Sequence, residues 1–103
     1  MANSIKILHL NLKGEYFDAI KNGTKFFEYR LKNDHWIKKL VDRDYDEVHF
    51  KRGYPKQDNS SKIIKIPYRG YELQTITHKH FGKEPVEVFA IYTTLLNKKE
   101  KTK

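Results

Sequence analysis

Apolar and polar positions along the chain change their period several times, and each change marks an element. Ile5 to Leu12 reads Ile-Lys-Ile-Leu-His-Leu-Asn-Leu, a mostly apolar stretch that predicts a strand buried on most of both sides. From Gly14 to Asn22 the period becomes helical. Tyr16, Phe17 and Ile20 share one face, while Glu15, Asp18 and Lys21 point away. The acids come early and Lys21 late, as the helix dipole prefers, and Gly23 stands where a left-handed cap ends the helix. Thr24 to Leu31 returns to strand. Phe27, Tyr29 and Leu31 line one side, and Phe26, Glu28 and Arg30 the other.

Asn33 to Arg43 predicts a second short helix, with Trp36, Ile37 and Leu40 at helical spacing and Asn33 or Asp34 as the N-cap. Asp42 to Glu47 carries four acids around Arg43 and Tyr45 and reads as a turn or exposed loop. Val48 and Phe50 then alternate with His49 and Lys51, the pattern of a third strand. Gly53 to Ser61 is a polar loop, and Lys62 to His78 reads as two strand segments divided at Pro67 and Gly70. Val86 to Thr93 closes the series with an apolar strand. Helices do not alternate with strands along the whole chain. The pattern therefore predicts an α+β fold, a small mixed β-barrel of five or six strands with one or two short helices, rather than a doubly wound sheet.

Length sets the scale of that fold: 103 residues suffice for one domain, expected over 1–95, followed by a basic flexible tail over 96–103. Six Phe, seven Tyr and one Trp supply much of a modest core or an aromatic binding surface. The absence of cysteine removes disulfides, a thiolate nucleophile and Cys-ligated zinc. No signal peptide or apolar run of about 20 residues is present, so a soluble, cytoplasmic protein is expected. The net charge is +8, of which the tail lysines Lys98, Lys99, Lys101 and Lys103, against Glu100, supply +3. The remaining body is still basic, and no basic amphipathic helix accompanies it. That sign favours RNA or DNA as partner over a membrane.

One segment carries more specific information. Gly23-Thr24-Lys25-Phe26-Phe27-Glu28-Tyr29-Arg30 fits G-x-K-x-x-E-x-R at a helix-to-strand junction. Gly23 permits a positive φ and a sharp turn, which places Lys25 at the start of the strand. Glu28 and Arg30, two apart on a strand, share a face and can pair or contact one ligand. The arginine fork suits phosphate or a base edge, and the carboxylate can accept from an exocyclic amine. Taken without any further context, the same residues fit a glycine cap and an ordinary surface Glu–Arg pair more readily.

This segment, with the preceding helix containing Tyr16-Phe17-Asp18-Ala19-Ile20, resembles the signature of ASCH domains, which are related to PUA-like folds. The resemblance covers residues 5–93, and its specific part is the first third. It implies a PUA-like barrel that binds RNA or a nucleoside in a basic cleft. Two enzymatic alternatives come with the family, amidohydrolases that deacetylate N-acetylated cytidine and a ribonuclease. In the amidohydrolase branch the motif lysine, a threonine three residues later and a distant glutamate act together. Lys25 occupies the lysine position, Glu28 stands where the threonine would be, and Glu72 and Glu87 are candidates for the distant glutamate. An enzymatic reading gives Lys25 the role of base or nucleophile and Glu28 that of proton-transfer partner. Binding ranks above catalysis, and a protein-interaction module is the third alternative.

Other residues fill in the expected surface. Tyr54 and Tyr68, near Arg52 and Arg69, can stack bases while the arginines meet phosphate. Trp36 is expected to anchor the second helix in the core, and His9 to be a hydrogen-bonded core histidine. His78-Lys79-His80 reads as a solvated loop before Phe81-Gly82. The sequence calls for no cofactor and no metal.

Overall fold

The computed structural model describes residues 5–56 and 59–93, with His80 described in its backbone alone. The described residues form an α+β fold of six strands in two three-stranded sheets with two α-helices. In chain order these are β1 (Ile7–Leu12), α1 (Gly14–Lys21), β2 (Phe27–Leu31), α2 (Asp34–Leu40), β3 (Glu47–Arg52), β4 (Ile63–Pro67), β5 (Tyr71–Ile76) and β6 (Val86–Tyr92). One-turn 3-10 helices at Ser60–Lys62 and Lys79–Phe81 interrupt two segments that the sequence reads as loops. The expected tail over 96–103 lies outside the described residues.

The chain divides into two compact units. The first contains β1, α1, β3 and β4, with strand order β1-β3-β4. β3 runs parallel to β1, Leu8 beside Val48 and Leu10 beside Phe50, and antiparallel to β4. Leu8, Leu10, Val48 and Phe50 are all at 1 % exposure or less, so alternate positions make one apolar face. This corrects the expectation for β1, which is buried on one side rather than most of both. His9 is exposed and is not a core histidine. Polar residues at positions 9 and 11 give the strand a period of two, and the leucines alone are buried.

α1 ends in a Schellman cap. Gly23, at φ +81°, donates to the Ile20 carbonyl at 3.0 Å and Thr24 to the Ala19 carbonyl at 2.9 Å. At the other end Gly14 admits the Arg52 guanidinium. A Cβ there would lie 2.5 Å from Arg52 Nη2, and Arg52 pairs with Asp18 at 3.2 Å.

The second unit contains β2, α2, β5 and β6, with strand order β2-β6-β5, antiparallel throughout. β6 is the central strand. Its Val88, Phe89, Ala90 and Ile91 are at 1 % exposure or less, so both of its faces are covered. α2 starts on Asn33, whose side chain accepts from the Trp36 amide at 3.0 Å. Leu40, at 1 %, is the buried residue of this helix. Trp36 is half-buried, so the anchoring role expected of it belongs to Leu40.

Candidate functional site

The Gly23–Arg30 segment leaves α1 through the glycine cap and enters β2 at Phe27. Its backbone around Lys25 is held from two directions within the first unit. The Lys25 amide donates to the Ala19 carbonyl at 3.2 Å, and the Lys25 carbonyl accepts from Thr93 Oγ1 at 2.6 Å. The Lys25 side chain is half-buried, with Nζ 5.2 Å from the centre of the Tyr16 ring. An ammonium over a phenol ring gains a preferred direction.

Glu28 and Arg30 belong to the second unit and pair there, Arg30 Nη2 to Glu28 Oε2 at 3.0 Å. The strand period places both on one side of β2, as the sequence reading expects. The surroundings are less polar than that reading assumes. In register, Glu28 stands beside Ile91 and Arg30 beside Phe89, and Glu28 is only 6 % exposed. The Arg30 guanidinium also lies 5.1 Å from the Trp36 ring centre. A carboxylate so deep requires a cation, and a guanidinium between a carboxylate and an indole has its plane fixed.

The opposite side of the β2-β6-β5 sheet carries a second polar group of residues that the sequence reading does not assemble. Tyr29 and Glu72 flank Ala90 in register. Glu72 accepts from the Tyr92 hydroxyl at 2.9 Å and from Gln74 Nε2 at 2.7 Å. Its hydrogen bond holds the Tyr92 phenol above the ordinary tyrosine range, helped by burial and the carboxylate charge and opposed by Arg69. Burial raises the Tyr29 phenol, and the charges of Glu72 and Glu28 add to the shift. The only sequence signal for this group is alternation along β5, which does not reveal its partner strand.

The remaining residues of interest are scattered. Tyr54 is 91 % exposed, open to stacking. Tyr68 is half-buried in the first unit, its ring edge-on to Tyr45 with centres 5.3 Å apart. Arg69 is exposed in the second unit, 6.0 Å from the Tyr92 ring centre. Arg52 is engaged with Asp18. Of the two distant glutamates, Glu72 is held as above, whereas Glu87 is exposed near Lys32 at 3.7 Å. Among the described residues no group of three His, Asp or Glu side chains is arranged to hold a metal, and no helix is long and apolar enough to cross a membrane.

Comparison with known proteins yields no match, whether to protein-family models, to curated proteins or to solved structures.

Proposed function

We propose that this chain is an ASCH-like module that binds RNA or a nucleoside, with Lys25, Glu28 and Arg30 as its recognition residues. The observation that carries the proposal is the pair of buried Glu28 and half-buried Arg30 on the strand that follows a glycine-capped turn and Lys25. Ion pairs that are largely buried contribute little net stability, which leaves recognition as the role proposed for this one. A fixed guanidinium reads a planar acceptor, and a carboxylate beside it reads an amine. Lys25 supplies charge for phosphate. Tyr54, Tyr68 and Arg69 are proposed as secondary contacts. The PUA-like barrel and a cytoplasmic setting belong to the same proposal.

Fluorescence anisotropy with short RNA tests it. Association should weaken steadily between about 50 and 200 mM salt, as counterion release requires. Lys25→Ala and Arg30→Gln should each lower affinity roughly fivefold, the scale of one partly screened charge-assisted contact. RNA and nucleosides that fail to associate at low salt would remove the proposal.

Hydrolysis is the second reading, with Lys25 as base or nucleophile and the buried Glu28 as its proton-transfer partner. Acetylated cytidine and short RNA are the substrates to assay. Lys25→Arg retains the charge but does not deprotonate at accessible pH, so turnover should disappear while binding persists. Equal activity in that variant and the wild type excludes lysine as base or nucleophile.

A further inference from the structure

The face of the β1-β3-β4 sheet opposite its leucines is basic and built around histidine. Register puts His9 of β1, His49 of β3 and Lys65 of β4 side by side in one row across all three strands. His9 and Lys65 are exposed, and His49 lies between them at 7 % exposure. The two imidazoles meet edge to face with centres 5.3 Å apart. Glu47 Oε1 is 2.8 Å from His49 Nε2. Asn11, next along β1, donates to the Gly53 carbonyl at 2.6 Å and stands beside Lys51.

Each element of the sheet thus presents a cation or a group that becomes one: His9 from β1, His49 and Lys51 from β3, Lys65 from β4. Glu47 is the one carboxylate among the side chains on this face of the three strands. Like charges on neighbouring strands repel, and the repulsion grows as the imidazoles take up protons. An anion laid across the row relieves it. Glu47 determines how His49 takes part. While Nε2–H faces Glu47, a neutral His49 offers only an acceptor at Nδ1, and protonation turns Nδ1 into a donor. Charge and hydrogen-bonding capacity therefore appear together as pH falls.

We propose that this face is a protonation-gated phosphate site, in which His9, His49 and Lys65 receive a phosphodiester of an RNA chain. RNA as the source rests on the reading under Proposed function. It is favoured by charge, since the described part of the first unit holds nine Lys and Arg against four Asp and Glu, and the second unit eight against seven.

The test uses a labelled single-stranded RNA of about twelve nucleotides and, separately, inorganic pyrophosphate. Wild-type affinity for the RNA should be about tenfold higher near pH 5.5 than near pH 8, as for one gained charge-assisted contact. The double variant His9→Gln/Lys65→Gln should lose most of that ratio. His35→Gln, an exposed histidine of the second unit, should keep it. Imidazole NMR signals of His9 and His49 should move with either ligand. An unchanged pH ratio in the double variant, or RNA binding that leaves both imidazole signals in place, overturns the inference while the Gly23–Arg30 reading stands. Signals that move with pyrophosphate in a protein that takes no RNA overturn RNA as the source, and with it that reading, while the phosphate site stands.

Discussion

Glu28, at 6 % exposure, pairs with Arg30 3.0 Å away, which is itself about one-fifth exposed. Glu28→Ala leaves a cation in apolar surroundings and should destabilise the protein by about 2 kcal/mol in urea denaturation, below the full cost of orphaning a buried ion because water still reaches Arg30. A double-mutant cycle with Arg30→Ala should show strong coupling, and additive losses would mean that the pair is incidental. The two raised phenols make a different forecast. Their folded pKa values lie above the unfolded value of 10.0, so the folded state holds those protons more tightly. Their contribution is complete below pH 10 and is lost as pH rises through the folded values. Denaturation midpoints should fall above pH 10, and Tyr92→Phe should make the fall shallower. Spacing alone reveals that Glu28 and Arg30 can pair. It does not reveal their burial, because Ile91 and Phe89 lie beside them only through a strand some sixty residues further along.

Elements were more legible than their surroundings. The helix over Gly14–Lys21 and its glycine cap follow from local period and from the special conformation that Gly23 allows. At φ +81° a branched side chain is strained, so Gly23→Val should cost about 1–2 kcal/mol by thermal or urea denaturation. Gly23→Asn, which tolerates that region, should cost less, and equal losses for the two would mean that the cap is not decisive. The Asn33 cap and the break between β4 and β5 at Pro67 and Gly70 were likewise readable, since turn chemistry is local. Strand pairing is not local. The apolar content of Ile5–Leu12 suggested burial on two sides, and only the parallel register with β3 shows that one side carries histidine. Both 3-10 turns escaped for the opposite reason, being too short to impose a period.

On the scale of the molecule the cationic surplus is uneven, and salt dependence should report it. If phosphate meets the first unit, Lys65→Gln should reduce the slope of log affinity against log salt by about 0.7, the value for one single-strand contact. Lys38→Gln, in the second unit, should leave the slope unchanged. Equal effects would indicate diffuse attraction without a preferred face. Strand order has a consequence of another kind, for the emergence of the chain from the ribosome. The β1-β3-β4 sheet has all its strands once Pro67 is made, so it can pair while the rest is still being translated. The other sheet has its central strand last. β2 and β5 have no ladder to join until Val86–Tyr92 appears between them, and the Glu28–Arg30 pair waits in water until then. A nascent chain stalled before Val86 therefore exposes two unpaired strands, and a frameshift that late in the message removes the support of β2 as surely as a deletion within it.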